Sequence, residues 1–174
     1  CTQILVDRYH ITTVINTGIA GGLYHEIHIG DIVIATEALQ HDMDATGFGY
    51  KLGEIPQMAE SVFHADETLR KKAAEVCRKV NPDIKVYEGR VISGDCFVSD
   101  NGKKKELWAQ FQGYCTEMEG AAIAQAAYLN QIPYLIIRAI SDQADGQASV
   151  DYDTFEAKAV EHSVNLVDAL IRDI

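Results

Sequence analysis

Residues 134–142 constrain the fold of this chain more than any other segment. Residues 134–137 form a continuous apolar run, Tyr-Leu-Ile-Ile, which is typical of a strand buried on both faces of a sheet. The run leads to Arg138, Ser141 and Asp142, so three polar side chains follow a buried strand. Ligands of α/β sheets bind at the carboxyl ends of strands. An ordinary strand end that leads into a polar loop is an equally open interpretation of this segment alone.

A second acidic motif close by favours a functional interpretation. Residues 116–120 read Thr-Glu-Met-Glu-Gly and place two carboxylates upstream of the predicted strand end. An Asp at the edge of an apolar core has its pKa raised by desolvation, so Asp142 is a candidate general acid. Ser141 has no histidine nearby in sequence, and a serine-hydrolase triad is therefore poorly supported.

Strand-like and helix-like segments alternate along the chain, and this order predicts a layered α/β fold. Runs of β-branched and apolar residues predict strands at 13–16, 32–35, 86–93 and 133–140. Apolar residues at helical spacing predict helices at 65–80, 103–112 and 119–129, and a last helix from Asp153 onward. Residues 41–56 contain three glycines and few aliphatic residues, and predict a long loop of the kind that often has a function.

Composition excludes several classes of partner. The 174 residues suit a single domain. A net charge of −11 disfavours DNA, RNA and anionic membrane surfaces, and no apolar stretch approaches the length of a membrane span. The four cysteines fit no common zinc spacing and indicate reduced thiols, so we expect a cytoplasmic protein.

Two short motifs have alternatives that the sequence leaves open. The glycine-rich segment 17–22 is either a phosphate-binding turn or a simple tight turn, and it is neither a dinucleotide-binding nor a Walker motif. His41, Asp42 and Asp44 offer ligands for a hard metal ion. Because that pattern is short and unsupported elsewhere, we predict no metal site.

Five motifs in fixed order resemble those of a known family. They are residues 15–22, 41–50, 93–97, 117–119 and 138–142. Together they resemble the bacterial 5′-methylthioadenosine/S-adenosylhomocysteine nucleosidases of the purine nucleoside phosphorylase-like superfamily. The resemblance implies a three-layer α/β/α fold with a mixed central sheet over residues 1–174, and no metal or organic cofactor.

The resemblance also implies roles for the reacting groups. Such enzymes hydrolyse the N-glycosidic bond and release adenine and a thioribose product. Asp142 would protonate N7 of the departing adenine, and Ser141 would orient its carboxyl group. Arg138 would lie near the nucleophilic water. Glu119 would bind the ribose hydroxyls, and Met118 would lie against the sugar.

Further residues would complete the pocket. Phe97 would stack on adenine and the Val98 backbone would contact its edge, although Phe97 taken alone is better explained as a core residue. Tyr152 would line the ribose and thioalkyl region. Ile19 stands where the family often has serine, which argues mildly against phosphate binding. Phe48 and Pro56 would reach the pocket of a partner subunit, and this implies a homodimer with shared active sites.

One expectation concerns the segment that carries the family's water-activating glutamate. That glutamate belongs to an N-terminal part, with a first strand and a helix, which we expect to precede Cys1. Two alternatives to the nucleosidase therefore stay open. One is a nucleoside phosphorylase of the same fold, and the other is a nucleoside-binding fragment without catalytic activity.

Overall fold

The polypeptide forms a mixed sheet with helices on both sides. The computed structural model describes residues 1–173, except for the side chains of residues 150, 152, 153 and 158. Within this part, the helices are α1 (Thr2–Tyr9), α2 (Glu67–Val80), α3 (Asn101–Phe111), α4 (Gly120–Leu129) and α5 (Ala148–Ile171). The strands are β1 (Val14–Gly22), β2 (Ile32–Gln40), β3 (Phe63–His64), β4 (Val86–Ser93), β5 (Cys115–Glu117) and β6 (Tyr134–Asp142).

The sheet contains parallel and antiparallel pairs, as predicted. Its order is β3-β2-β4-β5-β1-β6. The parallel pairs are β1 with β6, β2 with β4 and β4 with β5, whereas β5 runs antiparallel to β1 and β3 runs antiparallel to β2. The first part of β2 also pairs with β6 in antiparallel orientation, so five of the strands form a closed ring. This closure joins residues that are far apart in sequence.

Helices cover both sides of the strands and confirm the predicted α/β architecture. On one side, α4 packs through its buried alanines, Ala121, Ala124 and Ala127, against Val33 and Ile136. These small side chains let the helix lie close to the sheet. On the other side, α2 and α5 pack against the alternate residues of β2 and β6. The residues of β6 are all buried, as the apolar run predicted.

The structure differs from the sequence-based prediction at several elements. Residues 17–22 continue strand β1 instead of forming a turn, so both interpretations of that segment as a turn are wrong. The last helix begins at Ala148, five residues before Asp153. Strands β3 and β5 span only two and three residues, which is too short for a periodic pattern to reveal them.

The long loop after β2 has little regular structure. Between Gln40 and Phe63 it contains one turn of 3-10 helix, Thr46–Phe48. Asp44 holds the start of that turn, since its carboxylate accepts hydrogen bonds from the Thr46 amide at 2.9 Å and from the Thr46 hydroxyl at 2.6 Å. None of the helices in the described part of the chain has the length and apolar character of a membrane span.

Candidate active site

A cavity of about 440 Å³ opens at the carboxyl end of β6. Three elements supply most of its wall: strand β1, the segment that follows β4, and the connection from β5 to α4. Its lining residues are Asn16, Thr17, Gly18, Ile19, Ala20, Gly21, Cys96, Phe97, Val98, Thr116, Glu117, Met118, Glu119, Ile123, Arg138, Ser141 and Asp142. The sheet thus brings together four of the five motifs that carry the family resemblance.

Asp142 ends β6 with its side chain in this cavity and only 1% of its surface exposed. Its carboxylate accepts hydrogen bonds from the Ala144 amide at 2.7 Å and from the Ser141 hydroxyl at 2.9 Å. Burial raises the pKa of Asp142 above the ordinary value, and these two hydrogen bonds offset only part of that rise. Burial thus shifts Asp142 toward the protonated form, which is the form that a general acid requires.

Two glycines of β1 make room for the functional side chains of β6. Gly18 is the register partner of Arg138, and Gly21 is the register partner of Asp142. A Cβ atom at Gly18 would overlap the Arg138 guanidinium, and one at Gly21 would lie 2.9 Å from the Asp142 carboxylate. Gly18 and Gly21 suggested a turn, but they lie within a strand. Because they lack side chains, the Arg138 and Asp142 side chains can lie close to the β1 backbone.

Arg138 and Glu117 form an ion pair inside the protein. Both side chains are 3% exposed, and the guanidinium contacts the carboxylate directly. Glu117 also accepts hydrogen bonds from the Ser93 hydroxyl and, at 2.8 Å, from the amide of Gly120, the first residue of α4. Arg138 donates a further hydrogen bond of 2.6 Å to Asn16. The pair ties β6 to β1, β5 and the start of α4.

The more open side of the cavity carries the side chains assigned to the sugar and the base. The Glu119 side chain is 65% exposed and its carboxylate lies 3.6 Å from the Arg138 guanidinium. Phe97 and Met118 are both about half exposed and line the same cavity. Val98 is buried in the wall, and Ile19 contributes an apolar surface from β1. The site therefore has a buried acid and an exposed carboxylate, with apolar surfaces between them.

Three residues assigned to the pocket stand apart from this group. Phe48 and Pro56 belong to the long loop and do not line the cavity, and the Phe48 side chain is largely exposed. That placement leaves their assignment to a partner subunit's pocket a prediction. The side chain of Tyr152 lies outside the described part of the structure.

The sequence-based assignment missed Glu117, Asn16 and Thr116. Glu117 lies in the acidic motif, but Glu119 was the only carboxylate there to which a role was assigned. No local signal shows which of two carboxylates faces a buried arginine, because that depends on the pairing of β5 with its neighbours. Asn16 and Thr116 lie on the wall of the cavity and only the sheet brings them together.

Metal binding finds no support among the described residues. No group of three or more His, Cys, Asp or Glu side chains there is arranged to hold an ion. The carboxylates near His41 are engaged in local hydrogen bonds instead: Asp42 accepts from the Asp95 amide at 2.8 Å, and Asp44 accepts from Thr46.

Comparison with known proteins identifies the family. The model of the phosphorylase superfamily matches residues 1–172. The 5′-methylthioadenosine/S-adenosylhomocysteine nucleosidase of Bacillus thuringiensis is 40% identical over 174 residues, which are 99% of this chain and 74% of the relative. The chain belongs to this nucleosidase family.

Solved structures agree with this assignment. A nucleosidase of the same name from Neisseria meningitidis, in complex with methylthio-immucillin-A, matches with a TM-score of 0.94 and 36% identity over 99% of this chain and 74% of its own. Futalosine hydrolase of Helicobacter pylori matches with a TM-score of 0.93 and 31% identity over 99% of this chain and 73% of its own. The fold therefore also serves a hydrolase with a different name.

The ion pair generates a prediction about stability. Arg138→Met leaves the buried Glu117 carboxylate without its cation, and we expect a loss of about 3–5 kcal/mol in the free energy of unfolding. Adding Glu117→Gln removes the uncompensated charge, so the double variant should be more stable than Arg138→Met alone. Urea unfolding of the three proteins measures both effects. A double variant less stable than the single one would contradict the ion-pair assignment.

A second prediction follows from the direction of the Asp142 pKa. Because folding raises this pKa, the native state binds the proton more tightly, and Asp142 costs stability increasingly as pH rises from the ordinary Asp range through the raised value. The stability of Asp142→Asn relative to wild type should therefore increase with pH. Urea unfolding at several pH values from about 3 to about 8, a range that starts below the ordinary Asp pKa of about 3.9, tests this.

Asp44→Asn serves as a control, because its effect on stability should depend on pH in the opposite direction. Hydrogen bonds from the Thr46 hydroxyl and amide lower the pKa of Asp44, so the ionised native side chain stabilises the fold above the ordinary Asp pKa. This contribution is lost as pH falls through the lowered value. Asp44→Asn should lose stability at neutral pH and regain it in acid. The same sign for both variants would refute the account of Asp142.

Proposed function

We propose that this protein hydrolyses the N-glycosidic bond of 5′-methylthioadenosine and S-adenosylhomocysteine, releasing adenine and the thioribose product. The burial of the Asp142 carboxyl in the cavity, which raises its pKa, is the observation that carries the proposal. The same cavity also holds a second, solvent-exposed carboxylate, Glu119. Nucleosidase relatives at 40% identity supply the identity of the substrates.

Asp142 acts on the leaving group. Departure of adenine places negative charge on the base, and a proton delivered to N7 removes that charge. The Ser141 hydroxyl and the Ala144 amide fix the carboxyl group at the end of β6. A positioned acid of this kind accelerates a reaction by about 100- to 10,000-fold.

Glu119 and Met118 act on the sugar. Cleavage of the bond to adenine leaves a ribosyl group with the character of an oxocarbenium cation. A carboxylate that accepts hydrogen bonds from the ribose hydroxyls also stabilises this positive charge. Met118 supplies an apolar, polarisable surface on the wall beside Glu119.

The charge of the cavity favours water over phosphate as the second reactant. Among the described lining residues, three carry a carboxyl group and one, Arg138, carries a guanidinium. Arg138 is already neutralised by Glu117, and Ile19 offers no hydroxyl. A bound phosphate needs several cationic or neutral donors. The pocket therefore supports a hydrolase and argues against the phosphorylase alternative.

The carboxylate that activates water comes, in this proposal, from outside the described part of the cavity. The Glu117 carboxylate is bound by Arg138, Ser93 and the start of α4, so it is not available to activate water. Glu119 and Asp142 are assigned to the sugar and the base. This supports the expectation that another segment of the family supplies the glutamate.

Two wider assignments belong to the same proposal. We infer a homodimer in which the exposed Phe48 and its neighbour on the loop, Pro56, reach the partner's pocket. Analytical ultracentrifugation should give the mass of a dimer, and a monomer at micromolar concentration would contradict it.

The four cysteines are all free thiols, which supports the cytoplasm as the compartment, and cell fractionation tests this.

Adenine release is the direct test of function. The assay measures adenine release from both proposed substrates, in the presence and absence of phosphate. It uses the 174-residue chain and the same chain extended by the part of the Bacillus thuringiensis relative that it does not match. We expect phosphate-independent turnover that is much faster in the extended chain, and a fall of about 100-fold in its Asp142→Asn variant.

Each alternative gives a different outcome in this assay. Turnover that requires phosphate would identify a phosphorylase. Binding of adenine without turnover in either chain would identify a non-catalytic module. Equal rates in the two chains would place the water-activating carboxylate within the 174 residues. Wild-type turnover in Asp142→Asn would exclude Asp142 as the acid.

The role of Glu119 is tested by ligand binding. Glu119→Gln should weaken binding of 5′-methylthioadenosine by about tenfold or more, since a hydrogen bond to a charged group contributes about 1.5–3 kcal/mol. A 2′,3′-dideoxy analogue should bind equally to the variant and to wild type. Glu106→Gln, an exposed position on α3, is the matched control. If Glu119→Gln also weakens the dideoxy analogue, Glu119 does not act through the ribose hydroxyls.

A further inference from the structure

Lys104 of α3 directs its ammonium group toward the turn that follows Asp142. Its Nζ atom donates a hydrogen bond of 2.6 Å to the backbone carbonyl of Gln143 and lies 3.4 Å from the side-chain oxygen of the same residue. The side-chain amide of Gln143 donates in turn to the Ile27 carbonyl at 3.0 Å. Lysine side chains usually keep the ammonium group in water. A partly buried lysine that contacts a backbone carbonyl therefore constrains that part of the chain.

The two neighbouring lysines of α3 are ordinary surface residues. The Lys103 ammonium lies 3.4 Å from the Glu106 carboxylate, and 43% of the Lys103 side chain is exposed. Lys105 is exposed to solvent. Of these three consecutive lysines, Lys104 is the one whose ammonium group contacts the turn, and Lys105 offers a matched control on the same helix.

The carbonyl that Lys104 contacts and the amide that Asp142 contacts belong to one peptide group. The Gln143 carbonyl accepts from Lys104, and the Ala144 amide donates to the Asp142 carboxylate at 2.7 Å. This peptide bond is trans, so its C=O and N–H groups point in opposite directions. The ammonium group and the carboxyl group therefore hold the two ends of one planar unit.

A cation on the carbonyl oxygen strengthens the hydrogen bond at the other end of the peptide group. Resonance couples the C=O and C–N bonds, and hydrogen bonds in a chain polarise one another. The Ala144 amide therefore becomes a better donor to the ionised form of Asp142. A general acid turns into its carboxylate as it gives up the proton, so the contact stabilises the form that proton transfer produces.

The turn also has a backbone conformation that needs support from its surroundings. Ala144 has a φ of 51°, in the left-handed region that residues other than glycine seldom adopt. It is fully buried and belongs to the same apolar cluster as Leu107, which follows Lys104 by three residues on α3. Helix α3 thus supports the turn by apolar packing and by a charge-assisted hydrogen bond.

We propose that Lys104 is a positioning residue for Asp142, which it orients through the peptide group between Gln143 and Ala144. The inference rests on the proposed function, in which Asp142 is the acid that protonates adenine. Lys104 is not among the residues that line the cavity, so it acts on the acid and not on the substrate. The cation on α3 holds the turn, and the turn presents the Ala144 amide to the carboxylate.

The carboxyl titration of Asp142 tests this role without any need for turnover. Asp145 and Asp151 are the nearby charges that raise the pKa of Asp142, and they stay in place in every variant. Lys104→Met keeps the length of the side chain and removes the ammonium group. By carbon-13 NMR of the 174-residue chain, we expect the Asp142 midpoint to rise by about 0.5 or more in this variant.

Two further variants make the titration specific. Lys104→Arg keeps a cationic donor and should titrate like wild type. Lys105→Met removes the same charge from the exposed face of α3 and should leave the Asp142 midpoint unchanged. A merely structural role for Lys104 would lower the stability of Lys104→Met in urea and leave its midpoint where it is. An unchanged midpoint in Lys104→Met, or an equal rise in Lys105→Met, would overturn the proposal.

Adenine release by the extended chain gives a second readout. At the plateau of the pH profile, we expect Lys104→Met to lower kcat about tenfold and to leave KM for 5′-methylthioadenosine within about twofold of wild type. The basic limb of the profile should move to higher pH, in the same direction as the Asp142 midpoint. A raised KM with unchanged kcat would place Lys104 in substrate binding and contradict the positioning role.

The two readouts separate this inference from the function on which it rests. If the extended wild-type chain releases no adenine, the proposed function fails, and the titration still decides whether Lys104 acts on Asp142. If that chain is active and Lys104→Met has the same kcat as wild type, the positioning role is refuted and the function is untouched.

Discussion

The buried ion pair between Arg138 and Glu117 is the interaction on which the site depends. Two opposite charges inside a protein need good geometry and further hydrogen bonds to offset their desolvation. Glu117 accepts from Arg138, Ser93 and the first amide of α4, and Arg138 also donates to Asn16, although its buried Nε has no partner. The pair therefore fixes the relative positions of β1, β5, β6 and α4, from which the cavity wall is built.

The ion pair also positions the two other carboxyl groups of the cavity, those of Asp142 and Glu119. Asp142 follows Arg138 by four residues on the same strand, and it is buried and held by local hydrogen bonds. Glu119 follows Glu117 by two residues, and its side chain turns toward solvent at the mouth of the cavity. Burial raises the pKa of Asp142, whereas Glu119 is exposed to solvent, so the two carboxyl groups of one site lie in different environments. Glu117 neutralises Arg138, so the cavity has little positive charge available to bind phosphate.

The sequence predicted the site best where the signal was local. An apolar run that ends on Arg, Ser and Asp identified β6, and alternating elements identified the α/β class. The prediction of a turn at Gly18 and Gly21 was wrong. In sequence, a glycine that makes room for a side chain of the neighbouring strand cannot be distinguished from a glycine that forms a turn. The ring closure of the sheet, the role of Glu117 and the place of Thr116 depend on long-range strand register, which no local pattern contains.

The protonation of Asp142 is the central claim, and its titration tests the claim most directly. Carbon-13 NMR of protein labelled at the aspartate carboxyl carbons, with Asp142→Asn to assign the signal, follows this group alone. The account predicts a midpoint above the ordinary Asp pKa of about 3.9. A midpoint at or below that value would mean that Asp142 is an anion at every working pH, and would contradict its role as the acid that releases adenine.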